Sequence, residues 1–563
     1  MRTSFPALTA LVAGMAVALP SLALPPILDR APTDAMVTIT IPKLSGFEKD
    51  VTNLATVMGL PGAGMGLEGL LSMMGIENGV NMDGALCICI FPPKEGATEP
   101  NVIVLAPVSS YKDFLGNFGV EPKEGGVDSI MIQGEDQFAK NIGEGYAAFS
   151  PTKASIEAFT GKPGSAAAFK TMIGKKADAI TDTADLSVIV NAAMARPIVE
   201  RAIKEQMDRA AEMGMPGGGE AGPEMMKKVF DNSTAFIASF DANSAGLGLD
   251  FCIAAKPEGE FGPYLKAEGK ANNLLSKLPG GNYLIAAALD TSSSDFKALA
   301  KQIMAMLPKD QMGDAADQIE QFKKQIDVVN GQAAVIGFAP GGLSTGLLAS
   351  TVNYTATNDQ AAVIGSTKDM IDAVTKADKG TGMFEAGGAE VAGQKVDVYE
   401  LKFKADDENP AAAQVMSAMF GGGGLSGYIA KVDGGVLKTF AKNSKLMAEA
   451  MKAAKGENSL AKDPAIEQIG GKLPKGRVAE LYIHPKAVLD TIKPLAGPFV
   501  PQIGQLEIPK NLPPMGLAVS PGDFTLQSSI YLPAALLKFI AETAQTFGNG
   551  QGGQENDGGQ PAF

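Results

Sequence analysis

Ala235-Phe236-Ile237-Ala238-Ser239-Phe240, a turn-forming cluster from Asp241 to Gly246, and a second run from Leu247 to Ala255 form the stretch whose reading decides the fold. Leu247, Leu249, Phe251 and Ile253 alternate with small or polar residues. That is the two-residue period of a half-buried antiparallel strand, and two such runs around a turn cluster predict a hairpin. The same arrangement recurs as Ala333 to Phe338, the turn Ala339-Pro340-Gly341-Gly342 and Gly346 to Tyr354. It recurs again as Gly516 to Val519, the turn Ser520-Pro521-Gly522-Asp523 and Phe524 to Leu532.

Between the hairpins lie units in which a short apolar strand meets a polar break and then an amphipathic helix. They are Val102 to Leu105 into Ser109 to Leu115, Leu186 to Val190 into Arg196 to Val199, Tyr283 to Ala286 into Ser293 to Phe296, and Val478 to Tyr482 into Pro485 to Val488. Ser, Asp or Asn ahead of the apolar period, or Pro in the first turn, is how a helix starts. Strand-helix units alternating with hairpins predict an α+β fold of antiparallel sheet with helices packed on one face.

A third pattern suggests two related lobes. Gly145-Tyr146-Ala147-Ala148-Phe149-Ser150 leads into Ala154 to Phe159, and Gly427-Tyr428-Ile429-Ala430-Lys431-Val432 leads into Val436 to Phe440. Ala361 to Ser366 into Met370 to Val374 reads as a weaker third copy. The expected organisation is a signal peptide at 1–23, an N-terminal lobe at 24–260, a C-terminal lobe at 261–547 joined near Pro257 to Pro279, and a disordered Gly/Gln-rich tail at 548–563.

The signal reading rests on Arg2, the apolar run Ala7 to Leu19, the helix breaker Pro20, and the small residues of Ser21-Leu22-Ala23, with cleavage expected after Ala23. The run is shorter than the about 20 residues a span needs, and no later stretch is long and apolar enough, so the mature chain is expected to have no transmembrane span. The protein is therefore expected to be exported, to the periplasm, the cell envelope or the outside. Its net charge of −14 repels phosphate backbones and anionic lipid surfaces, which argues against nucleic acid as a partner.

The single histidine, His484, sits at a strand-to-helix junction and reads as a cap or a surface group, and one histidine cannot furnish an imidazole zinc site. Cys87 and Cys89 alternate on one strand and Cys252 lies on another, so all three read as small buried thiols, with a pairing of Cys252 to either left open. Ser-x-x-Lys, the spacing of a serine acylating site, occurs at Ser109, Ser150, Ser294 and Ser459, without Lys-Thr-Gly or Ser-Asp-Asn partners. Gly64-Met65-Gly66-Leu67-Glu68-Gly69 matches a dinucleotide loop but follows no strand, and Gly421 to Gly424 has no lysine after it. Met213-x-Met215 with Met225-Met226 could suit a soft metal, and Asp406-Asp407-Glu408 a hydrolytic or calcium role, but a loop with core methionines and a solvated turn account for them. No catalytic, cofactor-binding or metal site is assigned, and no cofactor is expected.

The "GYAAFSPTKASIEAF" segment from Gly145, the alternation of strand-helix units with long hairpins, and the Ala/Gly/Met-rich exported composition together resemble large uncharacterised secreted bacterial proteins of the domain-of-unknown-function type. The resemblance implies a fold class and no site. The functional expectation is a non-catalytic envelope or periplasmic protein that binds a lipid, another apolar ligand or an envelope protein, or that is structural. An exported hydrolase with an unrecognised site is the alternative.

Overall fold

The computed structural model describes residues 24–60, 66–93, 100–212, 221–306, 326–337, 345–404, 417–421, 424–496 and 501–550. The chain divides into two units, one of residues 1–49, 65–198 and 234–241 and the other of 50–64, 199–233 and 242–563. Residues 242–260, assigned to the N-terminal lobe by the sequence reading, pack with the second unit.

The first unit holds strands β1 (Val37–Ile41), β2 (Leu86–Phe91), β3 (Asn101–Pro107), β4 (Asp128–Ile132), β5 (Glu135–Gly143), β6 (Tyr146–Ser150), β7 (Leu186–Asn191) and most of β8 (Ser233–Asn243). They form an antiparallel sheet in the order β4-β5-β6-β3-β2-β1-β7-β8. Alternation sorts its faces. Thr38, Thr40, Cys87, Cys89, Leu105 and Ile189 are buried on one side, where the short helix Pro26–Asp29 and the helix Ala166–Thr183 contact the sheet. Val37, Ile39, Ile88, Ile90, Val104 and Val188 share the other face and are half-buried.

The second unit holds β9 (Gly246–Ala255), β10 (Tyr283–Asp290), β11 (Val329–Gly337), β12 (Thr351–Thr357), β13 (Gly380–Val391), β14 (Gln394–Phe403), β15 (Leu425–Val432), β16 (Gly435–Thr439), β17 (Ala479–Ile483), β18 (Met515–Gly522) and β19 (Thr525–Pro533). Its antiparallel order is β13-β14-β15-β16-β12-β11-β10-β17-β18-β19-β9. With β13 set aside, β14-β15-β16-β12-β11-β10-β17-β18 repeats the order of the first unit strand for strand.

This repeat corrects the sequence alignment of the two lobes. Gly145 to Ser150 is β6, and the strand in its place is β16, not the Gly427 to Val432 segment, which is β15. Val436 to Thr439 lie in β16, whereas Ala154 to Ala158, aligned with them above, lie in the helix Lys153–Ala158. What defines the equivalence is the following element: β6 runs into the helix Lys153–Ala158, and β16 into the helix Ser444–Ala454. The weaker third copy is one continuous helix and not two elements. Asp359 caps the Ala362 N–H (2.9 Å), and Ala361 to Ser366 continues into one helix, Gln360–Lys376.

The strand-helix units are present, with one start moved. The helix after β7 begins at Ala192 under Asn191, whose Oδ1 accepts from Ala193 and Met194, so Pro197 lies inside the helix instead of opening it. Gly548 to Gly550, read as tail, end the helix Ala534–Gly550. The signal segment, the turn at 339–342, the Met213 to Gly219 loop, Asp406 to Glu408 and 551–563 lie outside the described residues.

In the second unit the helices Asn272–Leu275, Ser444–Ala454 and Pro464–Gly470 pack on the face that carries Ala286, Ala288, Val335, Tyr354, Leu437, Tyr482 and Ala518. Ile371 of the helix Gln360–Lys376 packs instead with Ile429 and Val436, which point to the opposite face. That opposite face carries the candidate site.

Candidate functional site: an apolar trough ending at a lysine

Strand register aligns side chains into rows across this face of the second unit. One row runs Lys438, Asn353, Ala334, Ala287, Leu481, Leu517, Ile530, Leu249. The next runs Val436, Thr355, Gln332, Leu289, Ala479, Val519, Ser528, Phe251. From β11 to β9 both rows are uncharged and almost wholly apolar. They line a trough of ≈ 530 Å³ whose walls all come from strands. At about 4.8 Å per strand the trough is roughly 24 Å long.

Its apolar side chains are only half-buried, and Phe251 at the β9 end is 50 % exposed. The opposite faces of the same strands are closed: Ala286, Ala518 and Tyr482 are 0 %, 3 % and 1 % exposed. A sheet with one face sealed normally turns polar side chains to water on the other. Here Leu289, Leu481, Leu517 and Ile530 stand in those outward positions instead.

Polarity returns at the β12 end. Gln332 and Asn353 line the trough and also a second cavity of ≈ 200 Å³, between β12, β16 and the helix Gln360–Lys376. Ser366, Thr367 and Lys438 line it too. Lys438 Nζ lies 4.5 Å from the Tyr399 ring centre, 5.7 Å from that of Phe440, and donates to Thr367 Oγ1 at 3.4 Å. Among the described residues no carboxylate pairs with it. Burial alone pushes its ammonium down to about 8 from an ordinary 10.5. Tyr399 donates its hydroxyl to the Thr439 carbonyl (2.7 Å), and burial lifts its phenol above the usual range.

The residues weighed from the sequence lie elsewhere. His484 precedes the helix Pro485–Ala496, and its carbonyl accepts the Val488 N–H (3.1 Å). Its ring stands edge-on to Tyr283 at 5.7 Å, its buried Nδ1 has no hydrogen-bond partner among the described residues, and desolvation lowers its pKa. Cys87, Cys89 and Cys252 are buried thiols. The sulfurs of Cys87 and Cys89 lie 3.6 Å apart, and the Cys89 thiol together with burial raises the Cys87 pKa.

Each Ser-x-x-Lys lysine is engaged away from its serine. Lys112 pairs with Glu121, Lys153 with Glu157, Lys297 donates to the Asp327 carbonyl, and Lys462 to that of Gly456. Gly66 precedes the helix Leu67–Met73 and Leu67 to Gly69 form its first turn, and Met225-Met226 lie in the helix Ala221–Asp231. Among the described residues no cluster of three or more His, Cys, Asp or Glu is placed to hold a metal, and no helix is long and apolar enough to cross a membrane.

A buried ion pair sits on the sealed face. Arg477 Nε meets Glu480 Oε2 at 2.8 Å, and the Tyr482 hydroxyl donates to the same oxygen at 3.0 Å. Arg477 Nη1 donates to the Gly470 carbonyl at 2.8 Å, tying the Pro464–Gly470 helix to β17. Desolvation outweighs these contacts and raises the Glu480 pKa.

No protein-family model and no curated protein sequence matches the chain. Among solved structures it is similar to TP0453 in crystal form III, at 9 % identity and a TM-score of 0.23, over 48 % of this chain and 97 % of that one. Crystal form IV of TP0453 gives 10 % identity and a TM-score of 0.21, over 47 % and 95 %. Likeness at that level carries no functional argument. The chain itself is α+β, with antiparallel sheets and packed helices.

Proposed function

We propose that this is an exported, non-catalytic carrier or binding protein of the cell envelope, and that the trough of the second unit holds an apolar ligand. One observation carries the reading: the outward face of β10, β17, β18 and β19 bears Leu289, Leu481, Leu517 and Ile530 where a solvated sheet would bear polar groups. Its volume of ≈ 530 Å³ falls in the range of small-molecule sites. Each methylene taken from water contributes about 0.8 kcal/mol, so a long acyl chain gains several kcal/mol from even half coverage. The export expectation is supported by the Arg2 to Ala23 segment.

Native mass spectrometry tests the reading. Protein purified from its own envelope is expected to carry excess mass of lipid size, and delipidated protein to take up a fluorescent acyl probe. A charge in the middle of the trough, Leu481→Asp, should abolish both while leaving the circular dichroism unchanged. A wild-type chain that carries no excess mass and takes up no probe overturns the proposal.

A further inference from the structure

Lys438 is out of keeping with a merely structural role. It stands on β16 in the same row as the trough, beside Asn353, with which the trough and the ≈ 200 Å³ cavity are both lined. An ammonium has three hydrogens to donate, and among the described residues Thr367 at 3.4 Å is its one, long acceptor. The faces of Tyr399 and Phe440 favour a cation but supply no anion. Taking a charge out of water without an opposite charge is costly, and such a group is retained where something else completes it. Asn353 adds donors: its Oδ1 accepts from Thr355 Oγ1 (3.2 Å), and among the described residues its amide N–H groups have no acceptor.

We infer that the trough takes an amphiphile with a single anionic head, a carboxylate or a phosphate, that lies against Lys438 and Asn353 in the cavity under the Gln360–Lys376 helix while its apolar chain runs along β11, β10, β17, β18 and β19. This rests on the trough reading and adds the polarity of the ligand and its direction: head toward β16, tail toward Phe251 of β9.

The test uses delipidated full-length protein and measures binding of palmitate, 1-hexadecanol and hexadecyl phosphate to the wild type, Lys438→Met and Lys438→Arg. Lys438→Met removes a half-buried charge and keeps the side-chain stem, and circular dichroism checks that it folds. A lost charge-assisted contact corresponds to a fall of about ten- to a hundredfold in affinity. Lys438→Met should show that fall for the anionic ligands, bind hexadecanol as the wild type does, and be rescued in part by Lys438→Arg. Whichever anion binds the wild type more tightly identifies the head, and inorganic phosphate or acetate alone should not compete at matched concentration. If Lys438→Met binds palmitate and hexadecyl phosphate as tightly as the wild type does, the anchor is wrong and the apolar trough stands. If the wild type binds none of the three, both readings fall.

Discussion

Replacing Lys438 by methionine should make the ligand-free protein more stable near neutral pH and remove one feature of its pH dependence. The ammonium loses its proton at about 8 in the folded chain and at 10.5 when exposed. Below about pH 8 both states carry the proton, and the folded state bears the full cost of the buried charge. Between 8 and 10.5 the unfolded chain holds a proton that the folded chain has released, so stability rises with pH across this window. At about 1.4 kcal/mol per pH unit the gain has a ceiling of about 3 kcal/mol, and the partial exposure of the side chain reduces it, so a change above about 1 kcal/mol is the expected outcome. The neighbours that face Lys438 from β12, β14 and the Gln360–Lys376 helix are Asn353, Tyr399 and Thr367; only Tyr399 titrates, and its raised pKa keeps it neutral throughout. The assay is urea unfolding of the second unit from pH 7 to 11 for both proteins, delipidated. Other titrating groups are common to both and cancel in the difference. The advantage of Lys438→Met at neutral pH should shrink as the pH passes 8 and largely vanish by 10.5. A constant difference across that range would mean that Lys438 is solvated in the folded protein, and would refute the desolvation argument.

Arg477→Met should destabilise the second unit by about 3 to 5 kcal/mol, because it strands the Glu480 carboxylate, whose side chain is 0 % exposed; adding Glu480→Gln should restore much of the loss, and additive effects in denaturant melts would refute the coupling. Cys87, Cys89 and Cys252 are 0 %, 0 % and 2 % exposed, so Ellman's reagent should leave all three thiols untouched in the native protein and titrate them only in denaturant. A thiol that reacts within seconds before unfolding would contradict their burial.

Much of the fold was legible because two periods were clean. Ala479 to Ile483 and Met515 to Val519 alternate regularly enough to be read as strands, and Ser110 announces its helix, its hydroxyl accepting the Asp113 N–H. What misled was local likeness without context. Gly145-Tyr146 and Gly427-Tyr428 share two letters, yet one opens the strand before a helix and the other the strand before a strand. Val363-Ile364 have the branched side chains of a strand, but the Asp359 cap and the Ala361-Ala362 start commit them to a helix. The repeat is carried by strand order, which depends on pairings between distant segments and leaves little trace in short windows.

The site was less legible than the fold for a specific reason. Alternation tells which residues share a face and does not tell which face is sealed. Leu289, Leu481 and Leu517 read as ordinary inward residues of a sheet, and only the burial of Ala286, Tyr482 and Ala518 on the other side shows that these leucines are the outward set. The trough is recognised by which side is closed: the sealed side of these strands carries Ala286, Glu480, Tyr482, Ala518 and Tyr531 under the packed helices, while the other side carries the half-buried aliphatic groups. One signal was present in the sequence, the lone Lys438 in Val436-Leu437-Lys438-Thr439-Phe440. Once that run is strand, Lys438 shares a face with Val436 and Phe440, and a cation so placed needs either water or an anion. The aromatic rings and the Gln360–Lys376 helix limit the water, which leaves the anion, and the open apolar row beginning two strands away sets what that anion is attached to.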